Sequence, residues 1–390
     1  MHILHVTPYF PPSWSYGGIP RIVDGLTKAL VSLETQITVL TTDAFDQTQR
    51  AKTDKTREYH GMLVKTVANA SNYLAYNHQL FLPTKTLKAL GEIQKPDIIH
   101  LHGHRHLLNN VVFNYAQKNK IPYVLTANGT LTRHEKKKRI KWIWDMLIAG
   151  KIPLGANRCI AVSPADVTRH RNYGIPAEKI VQIANGLDLE EFSPLPQRGY
   201  YRQKLGIGER KLAVYLGQIS PRKGVEHLVQ AFCGPTLADA HVIIAGNDMG
   251  AKSAAQKLAK GAQNIHFIGL LKGKERLNLL ADADVLVYAS TNEIFGLSPF
   301  EGLLCGAPAV VGDDCGCGQL ISNAQAGLLV QHGNIEDLRI KLQLIFNDPI
   351  AAKAMVNRGR SYIRKNLLFS TIAKRHKILY QEVIDEHSIS

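Results

Sequence analysis

Short, continuously apolar runs alternate along the chain with segments of helical period, and the alternation occurs twice. The first set falls at residues 3–6, 36–40, 97–101, 123–126 and 158–162, with an amphipathic helix predicted over 19–33. The second falls at 212–216, 241–245, 265–268, 284–288 and 309–311, again with helical patterns between the runs. Runs that are apolar at nearly every position belong to strands covered on both faces, as in parallel sheets wrapped by helices. The pattern therefore predicts an α/β chain of two doubly wound parallel-sheet domains. Asn185-Gly186-Leu187-Asp188, followed by a proline-bearing 193–196 and a basic 198–210, reads as the join. The expected domains are 1–185 and 186–368. Residues 369–390 form an amphipathic helix whose pattern does not say which domain it packs on, a return to the first being the working expectation. Ligands of open sheets bind beyond the carboxyl ends of the strands, so a central cleft faced by both domains is the expected site.

Composition narrows the class without naming a reaction. A chain of 390 residues is long enough for two cores, and 45% hydrophobic with 20% charged residues is ordinary for a globular protein. No apolar run approaches membrane-spanning length, and residues 1–30 lack a signal-peptide pattern, so a cytoplasmic location is expected. Five scattered cysteines fit reduced thiols, and Cys315-Gly316-Cys317 is too tight for a usual zinc site. The net charge of +15 predicts attraction to polyanions or anionic lipid. It is concentrated at 133–144, where five Lys or Arg between 136 and 141 adjoin Trp142 and Trp144. Such a segment suits an anionic membrane surface, which would make the protein peripheral on the cytoplasmic membrane face; a solvated helix with buried tryptophans is the alternative. No nucleic-acid module surrounds it, so nucleic acid is not an expected partner.

The chemistry is densest at Glu293-Ile-Phe-Gly-Leu-Ser-Pro-Phe-Glu301, which places two carboxylates across a predicted strand-to-helix turn. Ser298-Pro299-Phe300-Glu301 matches a capping box with proline at the first helical position. Such a turn aims free N–H groups and a positive dipole end at one spot, with a carboxylate on either side. That arrangement suits an anion carrying hydroxyl-rich groups. The plainer reading is that Glu301 closes its own cap and Glu293 is a solvated turn residue.

Further segments join this one in order: Leu216-Gly-Gln-Ile-Ser-Pro-Arg-Lys-Gly224, Ile183-Ala-Asn-Gly-Leu-Asp188, Ile243-Ile-Ala-Gly246, Ile265-His-Phe-Ile-Gly269, and His5-Val-Thr-Pro-Tyr-Phe-Pro-Pro12 with Gly17-Gly18. In these residues, over nearly its whole length, the chain resembles the retaining glycosyltransferases of the GT-B fold, specifically glycosyltransferase family 4. The resemblance implies two Rossmann-like domains and transfer of a hexose from a nucleotide diphosphate sugar to a hydroxyl, with retention at the anomeric carbon. It implies that Glu301 takes the donor ribose hydroxyls, Glu293 faces the transferred sugar, and backbone N–H groups of Phe295, Gly296 and Leu297 hold sugar and diphosphate. Lys223 then neutralises charge on the departing diphosphate, the electrostatic work this reaction most needs. Gly246 and Ile268 fall on the donor side. Where the family carries arginine, five residues before the lysine, this chain has Gln218, with Arg222 as a compensating cation. Gln319 also stands where the family often has glutamate.

In the first half, Pro96-Asp-Ile-Ile-His-Leu-His102 resembles the strand end that carries the family's active-site histidine, matching His102, with His100 on the same face of a regular strand. Gly17 and Gly18 open a helix with Pro20 just inside it and let backbone approach a phosphate or sugar. Asn128 and Arg133 are the expected acceptor-side residues. The expected partners are a nucleotide diphosphate sugar and a saccharide or lipid-linked acceptor. Asp282-Ala-Asp284 fits a metal-binding Asp-x-Asp of a different fold but lies at a helix-to-strand junction, where packing explains it. No cluster of His, Cys or Asp has ligand spacing along the chain, so neither metal nor cofactor is expected. The same fold also hosts nucleotide-sugar epimerases, and a non-catalytic nucleotide-sugar-binding subunit stays open because of Gln218. No Gly-x-Gly-x-x-Gly follows a strand, which argues against a nicotinamide enzyme.

Overall fold

The computed structural model describes residues 1–131, 144–145, 149–271 and 273–389. The chain forms two compact units, Met1–Leu187 with Leu367–Ser390, and Asp188–Asn366. The first is built on an eight-stranded sheet of order β3-β4-β2-β1-β5-β6-β7-β8. Its strands are β1 His2–Val6, β2 Gln36–Thr42, β3 Thr56–Tyr59, β4 Met62–Val67, β5 Ile98–His102, β6 Tyr123–Thr126, β7 Arg158–Ala161 and β8 Ile180–Gln182. All neighbours pair in parallel except the β3–β4 hairpin. The second unit carries a six-stranded, all-parallel sheet of order β11-β10-β9-β12-β13-β14. Its strands are β9 Leu212–Leu216, β10 His241–Ala245, β11 Ile265–Gly269, β12 Val285–Tyr288, β13 Ala309–Gly312 and β14 Gly327–Val330.

The central strands are those the apolar runs predict, because β1, β5, β6, β12 and β13 are buried at every position. A strand covered on both faces cannot place a charge anywhere, so its sequence is an unbroken signal. The strands absent from the prediction lie at sheet edges or in the edge hairpin. β3 reads Thr-Arg-Glu-Tyr and is exposed or half-buried throughout, β4 carries Lys65 among its apolar residues, β8 has three residues, and β14 begins on Gly327.

The order of strands locates the ligand end of each sheet. In the first, the chain runs outward from β1 through β2 and β4, then returns to β5 on the other side of β1. In the second it runs from β9 through β10 and β11, then returns to β12 beside β9. The loops leaving the carboxyl ends of two such diverging strands part and open a crevice. The switch points are thus β1/β5 and β9/β12.

The C-terminal helix Phe369–Ile389 belongs to the first unit. It buries Ile372, Leu379, Tyr380 and Val383 with Ile3, Val23 and Leu26 in one apolar cluster. Lys377 Nζ donates to the Leu33 carbonyl at 2.7 Å, and Leu187 pairs with Leu368 where the chain re-enters this unit. Each fully buried aliphatic side chain in such a cluster stabilises by about 1.5–3 kcal/mol.

Candidate functional site

At the second switch point, β9 leads into Gly217–Gln218 and a short turn of 3-10 helix, Pro221–Lys223, capped by Gly224. β12 leads through Ala289 and Ser290 to Glu293 and the helix Ser298–Cys305. The two loops are stitched together: Thr291 N–H donates to the Arg222 carbonyl at 2.9 Å, and Gly316 N–H to the Glu293 carbonyl at 2.9 Å. Lys223 and Glu293 consequently meet in an ion pair that is also a direct hydrogen bond, Nζ to Oε2. Lys223 is almost fully buried, whereas the Glu293 side chain keeps 22% of its surface. Burial works against the Glu293 charge, but the ammonium of Lys223, with help from Arg222 and Tyr288, outweighs it and holds the carboxyl below its usual range.

The turn between Glu293 and the helix is open on its N–H side. Among the described residues, the backbone N–H groups of Phe295, Gly296, Leu297 and Ser298 find no backbone acceptor. Gly296 has φ +76°, which favours glycine, and a β-carbon there would press on the Tyr288 ring. The expected capping box does not form. Leu297 is the N-cap, Ser298 already lies inside the helix, and no side chain caps it. With Leu297 as N-cap, Ser298 is the first helical residue and the third is Phe300, so neither Ser298 nor Glu301 stands where a capping box needs it; the buried Glu301 carboxylate faces the Arg276 guanidinium, with Arg276 Nη1 3.4 Å from Oε1. Arg276, on the helix Glu275–Asp282, also holds Glu191 and lies over the Phe192 ring. Nothing in the local sequence marks Arg276, because its partners are 25, 85 and 84 positions away, as 301 − 276, 276 − 191 and 276 − 192 give.

Gly246 closes the loop at the end of β10. Its φ is +154° and a β-carbon would collide with the Gly217 carbonyl oxygen, so only glycine lets these two strand ends approach. Ile268 is half-buried on β11, two strands from β9. Gln218 is exposed, and its carbonyl accepts the Tyr215 hydroxyl at 2.7 Å; Arg222 is exposed as well. Asp282 and Asp284 are spent on structure. Asp282 accepts from the N–H groups of Gly199, Tyr201 and Arg202, and Asp284 from Leu212 N–H, Arg198 and Arg202.

At the first switch point the residues are imidazoles. His102 and His100 share a face of β5, as strand alternation requires, and His5 faces them from β1. His102 Nε2 lies 3.0 Å from His5 Nδ1, and His100 is held between the Tyr380 hydroxyl at 2.6 Å and Thr126 Oγ1 at 2.7 Å. Burial keeps all three uncharged; His102 is lowered to about 3, with His376 adding to the effect. Spacing along the chain gave no ligand cluster, yet among the described residues His5, His100 and His102 bring nitrogens within 4.8 Å of one another. Strand adjacency, invisible in sequence, is the cause. Hydrogen bonding to one another, Tyr380 and Thr126 engages four of the six ring nitrogens, and among the described residues His5 Nε2 and His102 Nδ1 find no partner. A small cavity between this cluster and the helices Gly18–Val31 and Phe369–Ile389 is lined by His102, Thr126, Asn185 and His376.

Gly17 is the N-cap of the helix Gly18–Val31, at φ +94°, with open space where a side chain would be. Asn128 and Gly129 both have positive φ in the turn after β6. That turn is joined to the β5 loop: His104 N–H donates to Thr130 Oγ1 at 2.6 Å, and Arg105 donates to the Thr130 carbonyl. Arg105 grips buried Asp145 with two bonds of 2.7 Å. Burial opposes the Asp145 charge, but His104 and Arg105 hold its carboxyl well below the usual range. This buried pair was not foreseen. Arg133 and residues 133–143 of the basic segment lie outside the described residues. Among the described residues no helix is long and apolar enough to cross a membrane.

Comparison with known proteins agrees with this layout. The model of the glycosyl transferases group 1 matches residues 197–362, and that of glycosyltransferase family 4 matches residues 16–191. An N,N'-diacetylbacillosaminyl-diphospho-undecaprenol alpha-1,3-N-acetylgalactosaminyltransferase of Campylobacter jejuni is 27% identical over 237 residues, 59% of this chain and 61% of that relative. A glycogen synthase of Mycobacterium tuberculosis is 25% identical over 96% of this chain and 92% of its own length. Among solved structures, sucrose-phosphate synthase from Thermosynechococcus elongatus superposes with a TM-score of 0.79 at 19% identity, covering 99% of both chains. HepE of Anabaena, in complex with UDP, superposes with a TM-score of 0.74 at 19% identity, covering 98% of this chain and 100% of that one. The fold is GT-B.

Proposed function

We propose, from the premise that this chain belongs to the family 4 glycosyltransferases of the GT-B fold, that it moves a hexose from a nucleotide diphosphate sugar to a hydroxyl acceptor with retention at the anomeric carbon. The observation that carries the proposal is the Lys223–Glu293 pair set against a turn of unpaired N–H groups at the second switch point. An ammonium and several convergent N–H donors are what a departing diphosphate requires, and donors gathered at the point where that charge develops lower the barrier. Glu293 offers its carboxylate to sugar hydroxyls. In this reading the buried Glu301 and Arg276 form the wall toward the ribose. Gln218, Arg222, Gly246 and Ile268 border the same donor subsite.

The first unit is read as the acceptor side, with His102 at the end of β5 and Asn128 in the turn after β6, and with Arg133 as the other acceptor-side residue; Gly17 and Gly18, at the start of the helix Gly18–Val31, are read as donor-binding. Because Lys223 supplies the positive charge, the proposed reaction draws on no metal and no cofactor. Lipid-linked acceptors are supported by relatives whose names include a diphospho-undecaprenol sugar and a phosphatidylinositol monomannoside. The basic segment 133–144 is proposed to meet an anionic membrane surface; salt-insensitive failure to sediment with anionic liposomes would remove that partner. HepE structures hold UDP and UDP-glucose, which makes uridine donors the first to try.

The test is a thermal-shift panel of UDP-, GDP- and ADP-sugars followed by anomeric analysis of the product. One nucleotide sugar at 100 times its Kd should stabilise the fold by about 2.7 kcal/mol. A flat panel would overturn the donor site, and an inverted product would overturn retention.

A further inference from the structure

One side chain meets Lys223, Glu293 and the Gly296 turn together, and none of the motif arguments singled it out. Tyr288, the last residue of β12, is almost fully buried. Its hydroxyl lies 2.5 Å from Lys223 Nζ and 3.2 Å from Glu293 Oε2, and the ammonium sits 4.7 Å from its ring centroid. Its ring also closes the underside of Gly296, where a β-carbon would lie 2.8 Å from Cε1. Behind it the ring stacks on Tyr215, centroids 6.4 Å apart and planes within 12°.

The direction of the two hydroxyl bonds follows from the groups involved. An ammonium only donates and an ionised carboxylate only accepts. The phenol oxygen must therefore accept from Lys223 and pass its own proton toward Glu293. Nζ, the hydroxyl and Oε2 form a closed triangle, because Lys223 also donates directly to the same carboxylate oxygen. Burial, and then the Glu293 charge, keep the phenol protonated, which this bonding needs.

An ammonium held by a carboxylate is not free to neutralise a diphosphate. When Nζ turns to an incoming anion, Glu293 loses its strongest partner. We infer that Tyr288 is a positioning residue of this site: its hydroxyl keeps the Glu293 carboxylate ionised and fixed in place while Lys223 is drawn to the diphosphate. The inference rests on the reading of the site given above. Among the described residues the titratable groups that face Glu293 are Lys223, Arg222, Tyr288, Tyr215 and Cys317, and the Tyr288 hydroxyl is the neutral one that donates to the carboxylate.

Tyr288→Phe removes the hydroxyl while keeping the stacked ring. Using whichever of UDP-glucose, UDP-N-acetylglucosamine, GDP-mannose or ADP-glucose the unaltered protein turns over, release of nucleoside diphosphate is followed from pH 4 to 9. The variant should lose roughly tenfold to a hundredfold in kcat with KM changed by less than about threefold, the size of one lost hydrogen bond to a charged group. Its acid limb should move to higher pH. Titration of the Glu293 side chain by carbon-13 NMR, with no donor present, reads the same contact without turnover. A raised midpoint in Tyr288→Phe supports the inference, and an unchanged midpoint or an unchanged kcat and acid limb overturns it. Absence of turnover in the unaltered protein would instead count against the transferase reading, leaving the NMR titration to decide on Tyr288.

Discussion

The two switch points occupy equivalent places in their sheets and are filled in opposite ways. At β1/β5 the strand ends carry His5, His100 and His102, buried, uncharged and bonded to one another or to Tyr380 and Thr126. At β9/β12 the loops carry a charged pair, Lys223 and Glu293, beside N–H groups with no backbone acceptor. Topology supplies the crevice in both cases; the residue types decide whether it holds charge. Neutral imidazoles suit hydroxyl groups and dislike ions, whereas an ammonium next to open N–H groups suits phosphate. The comparison sets a neutral crevice against a charged one before any ligand is considered.

The largest effect that would break this division is at Lys223. Lys223→Ala removes one preorganised cation and should cost about 3–4 kcal/mol in the barrier, a loss of roughly 100- to 1,000-fold in kcat. Initial rates with the donor found by the thermal-shift panel check it. Near-normal turnover would mean that charge at the second switch point is structural.

The next effect tests the first switch point. His376 is lowered to about 4 and His102 to about 3, both chiefly by burial, and burial lowers His5 and His100 in the same direction. Their folded values lie below the value of about 6.5 in an unfolded chain. Above pH 6.5 neither state binds these protons, and the stability is intact. As the pH falls below 6.5 the unfolded chain takes up protons that the folded unit refuses, so stability falls, by at most about 1.4 kcal/mol per histidine for each pH unit. For His376 the loss is complete near pH 4. Hydrogen exchange at pH 7 and pH 5 should show protection lost first in β1, β5 and the helix Phe369–Ile389. Equal loss in β9 and β12 would show that the imidazole cluster is not the acid-sensitive element.

A smaller effect concerns backbone approach at the second switch point. Gly246→Ala places a methyl against the Gly217 carbonyl at a φ that L-residues avoid, and should destabilise by at least about 2 kcal/mol. Urea midpoints check it. A wild-type midpoint would mean that the strand ends can separate without loss.

Sequence patterns reached different depths in these regions. Strands buried on both faces could be read to within a residue or two, because no charged residue interrupts them. Edge strands could not: β3 is polar, and β8 and β14 are short and half-buried. Glu293 and Lys223 were legible as members of motifs, although their ion pair, 70 positions apart, was not. Arg276 and Tyr288 carry no local signature, and His5 was legible only as the opening of a motif; the contacts of all three become visible only in the folded chain. The capping box failed because the helix starts one residue earlier than the motif requires, and the Glu301–Arg276 contact is a pairing that sequence spacing could not reveal.

The smallest expected effect sharpens the contrast most. Gln218 occupies the place where the resemblance to family 4 anticipates a second cation, and it is exposed at the end of the loop after β9. The loop itself is held through its backbone, by the Tyr215 hydroxyl on the Gln218 carbonyl, so the side chain can change without moving the turn. Gln218→Arg should therefore leave stability within about 0.5 kcal/mol, as for an ordinary surface substitution. If the site works by accumulating positive charge around a diphosphate, the added guanidinium should raise kcat/KM a few-fold, and more at low ionic strength, because the partly exposed charge is screened by salt. A gain independent of salt would point to a hydrogen-bonding role for this position. A loss of activity would mean that Lys223, Arg222 and the N–H turn already balance the anion, and that a neutral residue at 218 is part of how this site is tuned.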